Sequence, residues 1–322
     1  MIGRALLIIF VALFVAGAAP APKVALAPSE IVAAAPAGDW VAIAAADLLV
    51  MDLATGKRVV IQLMPPPISQ AWVGNIRKLA AAHWWDGTSI NRVQDNYVVQ
   101  WGDATEKKAL PTNSLEAAES GYEGALSPEY IAKRKRIIKD AVGDGVSIKD
   151  AARMGQFLKS LRRFRDSYAY FVDHLGGWPI ASDQTNVWPV HCYGMVGVGR
   201  GMSPDTGSGA ELYTVIGHAP RHLDRNIALV GRVISGIEHL SSLPRGTGPL
   251  GFYEKPAERV TITSIRIGTE VKDLPRFEYL STETASFAAY ADARANRRDP
   301  FFIVPAGGAD ICNIPVPVRM MK

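Results

Sequence analysis

The stretch RVQDNYVVQWGD, residues 92–103, has the alternation of a β-strand but also carries polar side chains that strands usually lack. Every second side chain from Tyr97 to Trp101 is aromatic or branched and apolar, which is typical of a strand with one packed face. Arg92 and Gln100 are the exceptions, because packing alone does not call for a guanidinium and an amide there. The stretch therefore predicts a strand that packs on one face and also presents polar side chains with a separate role.

The rest of the chain is predicted to be mainly β with a few helices. An amphipathic helix is expected over residues 69–83 and a shorter helix over 235–243. Strand-like runs cover residues 48–53, 58–63, 89–93, 97–101, 190–198, 211–216, 227–233 and 259–267. Short strands separated by glycine-containing turns are typical of a closed antiparallel barrel.

The composition is that of an ordinary globular protein. The chain has 322 residues, of which 48% are hydrophobic and 20% charged, so it can build one large domain or two small ones. Its 35 basic residues against 31 acidic ones leave a net charge of only +4. This mild excess does not indicate a nucleic-acid partner.

The N-terminus has the pattern of a signal peptide, predicted over residues 1–21. Arg4 precedes an apolar run over residues 5–15, and small residues suited to cleavage follow it. An Ala/Pro-rich linker is expected over residues 22–39. The pattern indicates an exported, periplasmic protein without stable membrane insertion after cleavage, and the alternative is an uncleaved N-terminal membrane anchor.

Residues 104–189 interrupt the strand pattern and predict a helical insert. Ser127 and Ser147 have the features of helix starts. Apolar residues then follow helical spacing over 154–175, and Gly176 ends the pattern.

The sequence also supports predictions for the basic runs of the insert and for the C-terminal segment. Basic runs at residues 133–136 and 162–165 could suggest an anionic partner, but nearby acidic residues nearly balance them, which favours a solvated helix face. Residues 269–322 show too little apolar periodicity to build a core, so this C-terminal extension is expected to wrap the body.

Cys192 and Cys312 are the two cysteines of the chain. Export would allow them to form a disulfide, and the alternative is two buried free thiols. Neither has the spacing of a metal ligand or of a CxxC redox site.

Several familiar catalytic motifs are absent or incomplete, and neither a metal nor a cofactor is expected. The sequence has no GxSxG elbow, HExxH helix or P-loop. His218 and His222 are four residues apart, but Pro220 between them disfavours the helix that a zinc pair would need. Residues 246–251 match GxGxxG, but Pro249 lies where a nucleotide-binding helix should begin, which favours a plain loop.

Segments 46–103 and 190–268 resemble, in order, the cyclophilin family of peptidyl-prolyl cis-trans isomerases. The most specific part of the resemblance is the opening stretch, with Arg92, Tyr97, Gln100, Gly102 and Asp103 at the family's spacing. The resemblance implies a cyclophilin-like closed eight-stranded antiparallel barrel capped by two helices. With the insert and the C-terminal extension set apart, the barrel is expected over residues 40–103 and 190–268.

The resemblance also implies catalytic roles for three residues. Arg92 would donate a hydrogen bond to the prolyl nitrogen as the X-Pro bond twists, Tyr97 would form the floor of the proline pocket, and Gln100 would hold the substrate carbonyl or orient Arg92. An X-Pro bond can isomerise by such electrostatic stabilisation without a nucleophile or a general base.

The second half follows the family less closely, although it implies further substrate-binding positions. These are Gly199, Arg200, Glu211, Tyr213, His222 and Leu223. Glu211 stands where the family more often has a neutral amide, and it could either orient Arg92 or weaken its field. His222 and Ile227 stand where the family often has a tryptophan and a histidine, so altered substrate choice and weaker binding of cyclosporin-type ligands are expected.

The resemblance therefore favours a monomeric isomerase that assists the folding of exported proteins and binds proline-containing polypeptides. The alternative is a non-catalytic module on the same scaffold, which binds proline peptides or docks a partner.

Overall fold

The computed structural model describes residues 24–112, 114, 117–128 and 166–321. The predicted signal peptide lies outside the described residues, and so does the middle of the predicted insert, residues 129–165.

The described part of the chain contains fifteen β-strands and four α-helices, together with short 3-10 turns. The strands are β1 (Trp40–Ile43), β2 (Leu48–Leu53), β3 (Arg58–Leu63), β4 (Ser89–Val93), β5 (Val98–Gly102), β6 (Gly124–Ala125), β7 (Phe171–Leu175), β8 (Trp178–Ser182), β9 (Asn186–Pro189), β10 (Met195–Val198), β11 (Leu212–Val215), β12 (Leu229–Ser235), β13 (Val260–Ile267), β14 (Phe277–Leu280) and β15 (Val318–Met320). The helices are α1 (Pro28–Ala34), α2 (Gln70–Ala81), α3 (Glu238–Ser241) and α4 (Ala285–Ala295).

Eight antiparallel strands close into the expected barrel, in the order β10-β11-β5-β4-β13-β2-β3-β12. Pairing of β12 with β10 completes the ring, so no barrel strand is left as an edge. Val99 and Trp101 on β5 are fully buried in the main core, whereas Val98 belongs to a separate cluster that includes Tyr213. The alternation in the opening stretch therefore builds both the packed interior and an outer face.

The two predicted helices differ in extent. Helix α2 buries Trp72, Ile76 and Leu79 against the barrel core, as its apolar spacing indicates. The helix expected over residues 235–243 is only the single turn α3. The reason is that β12 continues through Ser235 and Gly236 then turns the chain with a φ of +84°.

The predicted insert contains a four-stranded sheet, in the order β6-β9-β8-β7. The expectation that the helix continues through residue 175 is wrong, because Phe171–Leu175 is strand β7 and pairs with β8. Gly176 and Gly177 join the two strands with φ values of +56° and +85°, the conformation of a tight hairpin turn. The two glycines thus make a hairpin instead of ending a helix.

The two segments expected to be a linker and a wrapping tail fold together. Strands β1 and β15 flank β14 in a third sheet, and α1 packs against α4. Trp40, Phe287 and Tyr290 share a buried cluster there. The linker prediction for residues 22–39 and the predicted absence of a core in 269–322 are therefore wrong in part, and the barrel begins at β2 instead of residue 40.

A buried arginine joins the barrel to both additional sheets. Arg232 on β12 donates to Gln62 Oε1 from Nε at 2.9 Å and to the Gly177 carbonyl from Nη1 at 2.7 Å. Its guanidinium also lies 4.5 Å from the Trp178 ring centroid and 5.8 Å from that of Tyr279. Within the described residues no carboxylate forms an ion pair with it, so carbonyl dipoles and aromatic faces stabilise the charge.

Cys192 and Cys312 form a disulfide with a Cα–Cα distance of 5.0 Å, which ties the C-terminal extension to the barrel. The sequence leaves open a disulfide or two free thiols, and the structure contains the disulfide. None of the described helices has the length and hydropathy required to cross a bilayer.

Candidate active site

Arg92 and Gln100 lie directly opposite each other on the neighbouring strands β4 and β5. Arg92 Nη1 donates to Gln100 Oε1 at 3.1 Å, and Nη2 donates to Gln94 Oε1. Partial burial lowers the pKa of Arg92, but a guanidinium remains charged in proteins. The outer wall of the barrel therefore holds a cation in one orientation.

The loop that follows α3 completes the surroundings of Arg92. The Leu250 carbonyl accepts from Arg92 Nε at 2.8 Å, and the Phe252 ring centroid lies 5.3 Å from the guanidinium carbon. A Cβ on Gly251 would lie 2.7 Å from Gln94 Cα, so only glycine allows this close approach. Sequence analysis identified residues 246–251 as a plain loop and missed this contact.

A cluster of apolar side chains lies beside Arg92 on the outer face of the barrel, and we call it the candidate pocket. Val98, Tyr213 and Val215 form its buried base, and Tyr97, Leu223 and Ile227 pack against them. This outer cluster is separate from the core inside the barrel. Its aromatic and branched side chains could contact a compact apolar group, such as a proline ring.

Tyr97 lies between the pocket and the guanidinium. Its ring centroid is 5.8 Å from the guanidinium carbon of Arg92, close enough for a cation–π contact. The ring of His222 stacks on Tyr97 with centroids 6.3 Å apart and an interplanar angle of 12°. The structure therefore brings both residues to one rim of the pocket.

Glu211 lies behind Gln100 and is partly buried. Burial raises the pKa of Glu211 to about 7, although hydrogen bonding by Gln100 and Asn91 opposes the rise. Oε2 is buried without a hydrogen-bond partner among the described residues. Gln100 accepts from Arg92 and hydrogen-bonds Glu211, so its amide lies between these two side chains.

Gly199 and Arg200 differ in how they face the site. Gly199 N donates to the Glu211 carbonyl at 2.8 Å, and a Cβ on Gly199 would lie 3.5 Å from Gln100 Nε2, so this backbone lies beside Gln100. Arg200 instead donates to the carbonyls of Asn226 at 2.9 Å and Gly201 at 2.8 Å. Two of its three guanidinium nitrogens therefore donate to backbone acceptors.

In the described residues, no group of three or more His, Cys, Asp and Glu side chains is arranged to hold a metal ion.

Comparison with known families places this geometry in context. The family model described as cyclophilin type peptidyl-prolyl cis-trans isomerase/CLD matches residues 50–267. The chain belongs to this family of peptidyl-prolyl cis-trans isomerases. The family match spans the barrel and the insert, and it leaves α1, β1 and the whole C-terminal extension, including α4, outside.

Solved structures agree with the cyclophilin fold. The crystal structure of the cyclophilin AquaCyp293 from Hirschia baltica has a TM-score of 0.60 at 21% identity, covering 88% of this chain and 94% of that chain. A cyclophilin type isomerase of Cryptosporidium parvum, crystallised in the presence of the dipeptide Ala-Pro, has a TM-score of 0.37 at 12% identity, covering 68% of this chain and 98% of that chain. The first shows a shared fold, and the second is too distant to support an argument. No curated protein matches the chain.

Proposed function

We propose that this cyclophilin-type chain isomerises X-Pro bonds of exported polypeptides, with Arg92 as the hydrogen-bond donor to the prolyl nitrogen. The observation that carries the proposal is a guanidinium held by three acceptors beside an apolar pocket. Rotation about the X-Pro bond meets a barrier of roughly 18–20 kcal/mol because amide resonance is lost in the twisted state. The twisted nitrogen gains a lone pair, so a fixed donor stabilises the transition state more than the ground state.

The surrounding residues divide the remaining work. Tyr97, Tyr213 and Leu223 hold the proline ring, while Gln100 orients Arg92 and offers its amide to the substrate carbonyl. His222 and the backbone of Gly199 border the groove on either side. None of these steps uses a nucleophile, a general base or a cofactor.

The test is an exchange measurement by NMR on an Ala-Pro peptide, with peptide affinity taken from the same titration. We expect micromolar to millimolar binding, and exchange much faster than the tens of seconds of the uncatalysed reaction. Binding without faster exchange would instead support the non-catalytic module, a reading favoured by the acidic Glu211 in place of a neutral amide.

Glu211 should make the isomerase activity depend on pH. As pH rises from 6 to 8, the carboxyl group ionises and its negative charge reduces the positive potential that Arg92 presents. We expect kcat/KM to fall about two- to fivefold over this range, which corresponds to a loss of about 0.5–1 kcal/mol of transition-state stabilisation. Glu211→Gln should abolish the change, and a rise of kcat/KM with pH in the wild type would contradict the argument.

Glu211→Gln should also change how the stability of the folded protein depends on pH. The folded-state pKa of Glu211 is raised to about 7, so the folded protein binds this proton more tightly than the unfolded chain. Its contribution to the free energy of unfolding is therefore lost as pH rises from the ordinary value of 4.5 towards 7. Glu211→Gln should unfold at higher urea than the wild type at pH 8, and the difference should shrink at pH 4.

Export to the periplasm is supported by the signal-peptide pattern of residues 1–21 and by the Cys192–Cys312 bridge, since disulfides persist in oxidising compartments. Cell fractionation with intact-mass analysis tests it. Loss of about the first 21 residues in the periplasmic fraction is expected, whereas a full-length, membrane-bound chain would support the anchor. We propose a monomer, which light scattering checks on the same sample.

A further inference from the structure

A chain of buried hydrogen bonds runs from the proline pocket into the body of the protein. Tyr213 lies with its ring in the pocket cluster, while its hydroxyl points away and meets His191 Nε2 at 2.9 Å. His191 Nδ1 lies 2.8 Å from Asp224 Oδ1, and the same oxygen accepts from the His191 backbone N–H at 3.0 Å. The side chain of His191 is 1% exposed and that of Asp224 is 6% exposed.

The Asp224 carboxylate determines which ring nitrogen of His191 carries a proton. Nδ1 faces Asp224, so it carries the ring proton, and the neutral Nε2 is left to accept from the Tyr213 hydroxyl. Complete burial raises the pKa of Tyr213 well above its usual range, so the phenol stays neutral and remains a donor. The orientation of the Tyr213 ring is thereby tied to a fixed acceptor.

A glycine on the next strand makes room for this arrangement. Gly197 on β10 pairs with Tyr213 on β11, and a Cβ on Gly197 would lie 2.3 Å from the Tyr213 hydroxyl oxygen. Any side chain at position 197 would therefore displace the phenol from His191. The tyrosine, the histidine and the glycine form one matched set.

The hydrogen-bond chain continues to an ion pair with Asp166 of the insert. Arg221 Nε donates to Asp224 Oδ2 at 2.7 Å, and its two terminal nitrogens donate to the Asp166 carboxylate at 2.8 and 3.0 Å. The side chains of Arg221 and Asp166 are both 2% exposed. Arg221 also begins the 3-10 turn Arg221–Leu223, whose other two residues are His222 and Leu223 at the pocket. Asp224 is therefore held from the far side while the turn supplies the pocket wall.

We propose that His191 is a positioning residue for the isomerase: it holds Tyr213 as the rear wall of the proline pocket and is itself held by Asp224, Arg221 and Asp166. The inference rests on the proposed function, because the wall matters only if this pocket takes proline. His191 does not touch the substrate in this arrangement. Its effect reaches the substrate through the hydroxyl of Tyr213.

The test compares His191→Leu with Tyr213→Phe in the full chain, using an Ala-Pro peptide. Each change removes the same hydrogen bond, so each should raise the peptide Kd and KM about fivefold, the size expected for one such bond. We expect kcat to change less than twofold, because the wall holds the proline ring equally in the ground and twisted states. The double variant should bind no more weakly than either single variant.

Rescue and a matched control separate positioning from general damage. His191→Gln places an amide that can still meet the Tyr213 hydroxyl, so it should recover most of the affinity. His174→Leu removes another buried histidine, whose Nε2 lies 2.9 Å from the Ile314 carbonyl, away from the pocket. It should lower the thermal midpoint without changing KM.

Failure of the positioning role can be distinguished from failure of the proposed isomerase function. Additive effects of His191→Leu and Tyr213→Phe, or an unchanged Kd in Tyr213→Phe, would overturn the positioning role even in an active enzyme. The wild type could also be inactive while both variants bind the peptide fivefold more weakly than it does. That result would support the positioning of Tyr213 by His191 and would reject the isomerase activity. Tyr213→Phe keeps the aromatic ring, so its peptide Kd alone still tests the hydrogen bond to His191 if His191→Leu fails to fold.

Discussion

Replacing Arg92 by lysine should lower kcat/KM for an Ala-Pro peptide about hundredfold, equivalent to about 2.7 kcal/mol of lost transition-state stabilisation. The planar guanidinium can bond Gln100, Gln94 and the Leu250 carbonyl and still present an N–H towards the groove. A lysine keeps the charge but has no fork, so its ammonium is not held in one orientation. The loss should appear in kcat, measured by NMR exchange, while the peptide Kd changes less than about threefold.

Arg77→Ala provides the matched control, since Arg77 on α2 forms an exposed pair with Asp47 at 2.9 Å. It should leave both kcat and the peptide affinity unchanged, because exposed pairs contribute little. Full activity in Arg92→Lys would show that charge alone suffices and that the orientation by Leu250 and Gln100 is unimportant. Full activity in Arg92→Ala would remove Arg92 from the mechanism altogether.

Removing the disulfide should lower the free energy of unfolding by about 4 kcal/mol. The bridge joins residues separated by 120 positions, and a loop of that length loses much conformational entropy in the unfolded chain, about 5 kcal/mol in the entropy model before native strain is subtracted. The measurement is urea unfolding of a Cys192→Ser, Cys312→Ser double variant against the oxidised wild type.

Two comparisons decide how the bridge acts. The wild type in reducing buffer should unfold at the same urea concentration as the double variant, because both lack the same cross-link. Limited proteolysis should then cut the C-terminal extension before the barrel, since the extension loses its covalent tie. An unchanged midpoint in the reduced wild type would mean that packing of the extension alone holds it in place.

The barrel and the centre of the site could be anticipated because their signals are local. Alternation over β5 separates Val99 and Trp101 from Gln100, and the resemblance to cyclophilins then places Arg92 beside that glutamine. The Cys192–Cys312 pairing remained open because the sequence does not show whether its two cysteines come close together. The resemblance also implied Tyr97, Tyr213 and Leu223, and the structure brings these three residues together in one cluster.

The parts that were missed depend on contacts that have no periodic signal. Leu250 and Phe252 reach Arg92 from a loop more than 150 positions away, and no pattern in the loop indicates that contact. His191 and Gly197 looked like ordinary strand residues until the Tyr213 hydroxyl was placed between them. Strand β7 was hidden because helical spacing over residues 154–175 continued into it, and only the Gly176-Gly177 pair indicated a hairpin.

The third sheet has a consequence for the order in which the protein can be made. Its middle strand, β14, pairs with β1 on one side and with β15 on the other, so the sheet joins the two ends of the described chain. During synthesis Trp40 emerges early but cannot be buried until Phe287 and Tyr290 have also left the ribosome. The barrel strands all lie between residues 48 and 267 and can pair before then. A chain that stops short of β14 would therefore contain every barrel strand while leaving Trp40 uncovered.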